Sequence, residues 1–147
     1  MKKIFTIASV LLVAAVVLAS CTRRSYNGGD DRDYWLSKEN GVVVYSDGYC
    51  PYYVIETYNG YTIVEATSGP APYEGDEIYG NLSSRGYKEL YNYTDNSIIR
   101  GQVTDYWLSY ADAQYIIDNL CYNYSKGAEK KVIKQGMLKQ KTADLVK

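Results

Sequence analysis

Tyr52 to Tyr58 and Tyr61 to Ala66 are alternating apolar and polar runs that flank Asn59-Gly60, and no other pattern in the chain constrains its fold as tightly. Asn and Gly both tolerate positive φ, so the pair favours a two-residue turn between antiparallel strands. The expected register sets Tyr58 opposite Tyr61, Thr57 opposite Thr62 and Ile55 opposite Val64. Side chains alternate between faces with a period of two. Tyr53, Ile55, Thr57, Thr62, Val64 and Ala66 therefore share the more apolar face. Glu56 and Glu65 lie on the other face, which is expected to meet solvent.

More strand signals surround this hairpin. Val42 to Tyr45 is a short apolar run stopped by Asp47-Gly48. Glu77 to Leu82 follows the Gly69-Pro70-Ala71-Pro72 loop, with Gly80 marking a bulge or a close backbone approach. Tyr87 to Tyr93 and Ser97 to Thr104 flank Thr94-Asp95-Asn96 as a second hairpin. Six short strands at near-regular spacing predict a mainly β domain, a small six-stranded barrel or curled antiparallel sheet of SH3-like or OB-like type. The 18 tyrosines agree with this, because an apolar ring with a polar tip suits half-buried sheet faces and wet interfaces. Trp35 and Trp107 are expected at the rim of the core.

Ser109 starts a different pattern. It is a good N-cap, with Asp112 three residues on as an approximate capping box. Ala113, Ile116, Ile117, Leu120 and Cys121 then form the stripe of an amphipathic helix. The helix is predicted from Tyr110 to about Tyr122, closing one end of the barrel. Beyond it, Val132, Ile133, Met137 and Leu138 make only a ragged stripe, which Gly136 interrupts. The pentapeptide Asp33-Tyr34-Trp35-Leu36-Ser37 recurs as Asp105-Tyr106-Trp107-Leu108-Ser109. One reading is a duplicated loop presenting a Trp at each site. The plainer one is coincidence with similar edge packing, since a strand follows the first copy and a helix the second.

At the N-terminus, Lys2 and Lys3 precede an almost unbroken apolar run from Ile4 to Leu18, which ends in Leu18-Ala19-Ser20-Cys21. This is the architecture of a secretory signal peptide, and it resembles the lipobox of bacterial lipoproteins. The resemblance implies a diacylglyceryl group on Cys21, cleavage before it and acylation of the new amino terminus. A membrane span needs about 20 apolar residues, and this run falls short of that before Arg23-Arg24. An Asp after the lipidated cysteine would resemble an inner-membrane retention signal. Thr22 stands there instead, so the expected location is the outer membrane, lipid-anchored and facing the periplasm. Asp30, Asp31 and Asp33 weakly resemble acidic clusters that direct some lipoproteins to the cell surface, which keeps that orientation open. The expected organisation is a signal over 1–20, a lipid-anchored tether over 21–33, a β-rich domain with its closing helix over 34–125 and a basic tail over 126–147. Residues 22–147 resemble no named family, only uncharacterised small Tyr-rich β-domain lipoproteins in general style.

With Cys21 lipidated, Cys50 and Cys121 remain in a compartment that permits disulfides. A bridge between them would be worth about 4 kcal/mol in the chain-entropy account. The alternative is two buried thiols acting as small hydrophobes.

The net charge of −1 conceals an asymmetry. Gly41 to Ser125 holds 11 acidic residues against three basic ones, and Lys126 to Lys147 holds seven lysines against Glu129 and Asp144. An acidic body lacks the basic footprint that nucleic acid requires, so no nucleic-acid partner is expected. The tail reads either as a solvated terminus or as a contact with anionic polymer, lipid headgroups or the protein's own acidic face.

Histidine is absent. This removes the commonest acid–base side chain near neutral pH, and with it Ser-His-Asp, Cys-His and His-ligated metal sites. Glu74, Asp76 and Glu77 form a carboxylate cluster in a Pro/Gly loop, read as simply solvated. Asp30, Asp31 and Asp33 lack the spacing of an EF-hand loop. The chain is expected to be a non-enzyme with no cofactor and no metal. Its partners are then the lipid bilayer, through Cys21, and an envelope protein held by an exposed sheet edge or a Tyr-rich face. The alternative is a glycan-binding module that stacks Trp35, Trp107, Tyr49, Tyr52, Tyr58 and Tyr61 on sugar faces. That reading requires the rings to share one groove.

Overall fold

The computed structural model describes residues 30–122, 124 and 131–144. The chain divides into two compact units, 1–32 and 33–147. The apolar run from Ile4 to Leu18, Cys21 and most of the expected tether lie outside the described residues. The part of the tether that is described, Asp30 to Asp33, is not irregular: it opens helix α1 (Asp30–Leu36).

Six strands follow: β1 (Glu39–Ser46), β2 (Tyr52–Thr57), β3 (Gly60–Ser68), β4 (Glu77–Gly80), β5 (Gly86–Asn92) and β6 (Ser97–Leu108). They close into a barrel in the order β1-β2-β3-β6-β5-β4, and every neighbouring pair is antiparallel. Two three-stranded meanders are thus joined edge to edge. This is the mainly β, six-stranded barrel that the strand spacing predicts.

The β2–β3 hairpin forms, but two residues away from the expected register. Thr57 pairs with Gly60, Ile55 with Thr62 and Tyr53 with Val64, so Tyr58 and Asn59 make the turn. Gly60 serves a different contact. At φ +122 it lies so close to β6 that a Cβ would sit 2.5 Å from the Leu108 carbonyl oxygen. The Thr57 hydroxyl organises the turn, donating to the Gly60 carbonyl at 2.9 Å and accepting the Asn59 N–H at 3.2 Å. A slip of two residues leaves every side chain on its original face, whereas a slip of one would have inverted them all.

Each strand sends at least one residue into the barrel: Val43, Tyr53 and Ile55, Val64, Ile78, Leu90 and Val103 pack there with Leu82. Full burial of such side chains contributes about 1.5–3 kcal/mol apiece. Gly80 makes the close approach expected of it, since a Cβ would lie 2.4 Å from Leu90 Cδ2.

A second core lies outside the barrel wall and corrects two expectations. Helix α2 (Tyr110–Cys121) does not close the barrel end. It lies along the outer wall, where Ala113, Ile117 and Cys121 pack with Val44, Val54 and Ile63. The face of β2 and β3 that carries Glu56 and Glu65 is therefore buried in its middle and not left to solvent, because Val54 and Ile63 on it need apolar cover. Ser109 caps the helix as predicted, accepting the Asp112 N–H at 3.2 Å and donating to the Asp112 carboxylate at 2.6 Å. Cys50 and Cys121 form a disulfide with Cα atoms 5.5 Å apart, which ties the β1–β2 loop to the last turn of α2.

The tail is not a solvated terminus where it is described. Ile133 and Leu138 are buried, and residues 131–138 run as a strap over the outer core. The Lys134 N–H donates to the Val44 carbonyl at 3.1 Å and the Ile133 N–H to Gln114 Oε1 at 2.8 Å. The strap leads into helix α3 (Met137–Asp144). The Glu56 carboxylate accepts the Gly136 and Leu138 N–H groups at 3.0 and 3.1 Å, a negative charge at a helix N-terminus.

Candidate functional site

The register of β3 against β6 passes from Ile63–Asp105 to Tyr61–Leu108. β6 therefore carries one residue more than its partner over this step, a bulge at Tyr106-Trp107 of the kind that re-aims side chains. Trp107 sits in it at φ +57, a left-handed conformation that costs a bulky residue about 1–3 kcal/mol. The residue is 60% exposed. The expected place at the core rim is corrected accordingly, because the bulge turns the ring outward.

This exposed ring is fixed in place. The indole Nε1–H donates to Ser83 Oγ at 2.9 Å, and the Ser83 hydroxyl donates to the Glu39 carboxylate, whose oxygens lie at 2.7 and 2.8 Å. Tyr106 packs edge-on against the indole, with centroids 5.3 Å apart. The bond from the indole to the serine joins neutral groups and contributes about 0.5–1.5 kcal/mol, and the serine–carboxylate bond behind it, which ends on a charge, about 1.5–3 kcal/mol. Below the bulge, Arg85 and Asp105 form an ion pair at 2.6 Å.

The six nominated rings fall into three places. Tyr58, Tyr61 and Trp107 belong to the barrel end formed by the β2–β3 turn and the end of β6. Tyr58 is exposed in the turn, while Tyr61 packs edge-on against Tyr110. Tyr49 and Tyr52 belong to the β1–β2 connection at the opposite end, Tyr49 exposed and Tyr52 packed on the outer core. Trp35 lies on α1 and stacks on Tyr91 at 6.2 Å. From there ring contacts run through Tyr93 to Tyr79. The two copies of the pentapeptide thus adopt different structures, helix for Trp35 and bulged strand for Trp107, and they form no duplicated loop.

The carboxylate cluster is not simply solvated. Asp76 and Glu77 are buried. Asp76 accepts the Tyr73 N–H at 3.0 Å and the Asn92 side-chain amide at 2.8 Å. Glu77 accepts the Tyr79 hydroxyl at 2.6 Å. Burial, with the Glu77 carboxylate adding to it, pushes the Tyr79 phenol up to about 12. Glu74 binds Lys131 and Lys134 at 2.7 and 2.6 Å. These acids are taken up by backbone and side-chain donors and by two ammonium groups. Among the described residues no cluster of His, Cys, Asp and Glu is arranged to hold a metal ion, and no helix is long and apolar enough to cross a membrane.

Sequence reasoning missed Ser83, Glu39, Tyr79, Tyr91 and Tyr93. The first two lie 44 residues apart, and only strand pairing brings them together. No family model, curated protein or solved structure matches this chain. What the fold and surface define is a closed antiparallel barrel that presents a pre-oriented aromatic side chain.

Proposed function

We propose that this protein is a lipid-anchored, non-catalytic adaptor of the bacterial cell envelope, which engages an envelope protein through the Trp107 surface. The expected anchor is acylated Cys21 in the outer membrane, with the domain on the periplasmic side. The observation that carries the reading is Trp107 itself: an exposed indole on a strained bulge, held by the Ser83–Glu39 chain. Trp is the residue most enriched at interface hot spots, and fixing its orientation before binding lowers the entropy cost of association. The barrel is closed, which removes the free sheet edge that strand addition would use and favours a face over an edge as the contact. A glycan module built on all six nominated rings has less support, because they are divided among three places.

The test is photo-crosslinking in intact cells from a photoreactive residue placed at Tyr58, in the hairpin turn at the same barrel end. A discrete protein adduct that disappears in Trp107→Ala is expected. No adduct, or one unchanged by Trp107→Ala, overturns the proposal.

A further inference from the structure

A groove of about 790 Å³ lies at the other end of β1 and β2, between the β1–β2 loop, the β3–β4 connection and the docked strap. Its size falls in the range of about 300–1,000 Å³ found for ligand sites. Three rings line it, with Tyr49 79% exposed, Tyr73 75% and Tyr124 53%. None is explained by packing into either core. Polar groups stand between the rings. Glu74 is clasped by Lys131 and Lys134, and Lys131 also donates to the Ser46 carbonyl.

We propose that this groove binds a neutral saccharide chain. This goes beyond the adaptor reading and uses a separate surface. The argument is one of matching chemistry. The rings offer apolar faces for the C–H faces of sugars. Each lysine ammonium has three donors, and the hydroxyls of the exposed Tyr49 and Tyr73 both donate and accept, so the groove presents hydrogen bonds in both senses to hydroxyl groups. Its charge is nearly balanced, since Asp47 and Glu74 line it together with Lys131 and Lys134, and Glu74 pairs with both ammonium groups. An anionic ligand would meet those carboxylates, and an apolar one would take the ion-pair cluster out of water with no new hydrogen bond in return. The walls are preset. The disulfide fixes the β1–β2 loop at Cys50, and the Tyr49 N–H donates to the Asp47 carboxylate at 3.1 Å.

The test uses the full chain in detergent with labelled tyrosine rings, observed by NMR. It is titrated at millimolar concentration with neutral tetrasaccharides of N-acetylglucosamine, β-linked glucose, α-linked glucose and mannose, and with a neutral tetrapeptide. At least one sugar is expected to shift the Tyr49 and Tyr73 signals while the tetrapeptide does not. The double variant Tyr49→Ala/Tyr73→Ala is expected to weaken that binding at least ~10-fold with an unchanged melting temperature, because both side chains are exposed and hot-spot aromatics carry losses of this size. The proposal is overturned if no sugar shifts these signals, if the double variant binds equally well, or if the peptide gives equal shifts. Shifts confined to Tyr58 and Tyr61 overturn it too. The crosslinking result at Trp107 is independent of all these outcomes.

Discussion

The Trp107 indole N–H lies 2.9 Å from the Ser83 hydroxyl, and this bond ties the bulge on β6 to the connection between β4 and β5. The same tryptophan holds a backbone conformation that glycine would adopt freely. Strain and hydrogen bonding oppose each other at one residue, so substitutions separate them.

Trp107→Gly is expected to preserve or raise stability, because relief of about 1–3 kcal/mol of backbone strain offsets the lost bond. Partner crosslinking should nevertheless disappear. Ser83→Ala keeps the strain and loses the anchor, so stability should fall by about 1–2 kcal/mol and crosslinking should weaken without vanishing. Denaturant midpoints and adduct yields measured on the same samples check both. A Trp107→Gly variant that unfolds readily would contradict the strained-bulge account.

The Cys50–Cys121 bridge spans 71 residues. Replacing both cysteines by serine is expected to cost about 4 kcal/mol, from the loop entropy returned to the unfolded chain, and burying two hydroxyls in the outer core adds to the loss. Thermal melts of the oxidised chain against the double variant measure it. A loss below ~1 kcal/mol would mean that the unfolded ensemble is already compact there.

How much of this was legible follows from what each pattern encodes. Period-two alternation at Tyr53, Ile55, Thr62 and Val64 located the inner face and survived a register error, because the error was an even number of residues. Ser109 and its apolar stripe fixed helix α2 to within a residue, since capping and periodicity are local. Where α2 packs was not local. The face expected to meet solvent because it carries Glu56 and Glu65 also carries Val54 and Ile63, and these seat the second core. The Trp107 site depends on a bulge, a Ser and a Glu joined only by strand pairing, so no window of sequence contains it. The identical pentapeptides make the same point: five residues do not choose between helix and strand when tertiary contacts differ.

Acid should loosen the strap before it unfolds the barrel. Burial pushes the Glu74 carboxyl up, but hydrogen bonds from Lys131, Lys134 and the Ser46 N–H outweigh it and hold the carboxyl below its ordinary value. A group whose pKa is lowered in the folded state stabilises fully above its unfolded value, and that contribution is lost as the pH falls through the folded one. Amide exchange at Ile133 and Lys134 is therefore expected to accelerate, relative to inner-core amides, as pH drops below the ordinary carboxylate range. Glu74→Gln should show faster exchange at neutral pH and little further change on acidification. Parallel pH profiles in the two proteins would refute the clasp.

Tyr53 fills the barrel with its hydroxyl buried and without a hydrogen-bond partner among the described residues, and burial raises its phenol far above the usual range. A buried hydroxyl left unpaired costs about 1–3 kcal/mol. Tyr53→Phe keeps the ring and removes that atom, so stability is expected to rise by about 1 kcal/mol, read from denaturant midpoints. A loss of similar size would show that the hydroxyl is satisfied after all.

Glu56 joins the strap to the barrel through its charge. Its two carboxylate oxygens accept the Gly136 and Leu138 N–H groups, and a charge at a helix N-terminus contributes about 0.3–1 kcal/mol beyond the hydrogen bonds. Glu56→Gln retains one acceptor and loses the charge, whereas Glu56→Ala loses both. Exchange at the Gly136 and Leu138 amides should rise from wild type to Gln to Ala, while amides of Val64 and Val103 stay protected because barrel closure does not involve the strap. Tyr61 gives an independent signal. Burial raises its phenol first, and the Glu56 charge and hydrogen bond raise it further. Glu56→Ala should bring the Tyr61 titration part of the way back toward its ordinary value, leaving the portion due to burial and to Tyr110. A Tyr61 titration unmoved by Glu56→Ala, together with unchanged exchange in the strap, would place the strap's anchorage in the Glu74 clasp and in the burial of Ile133 and Leu138.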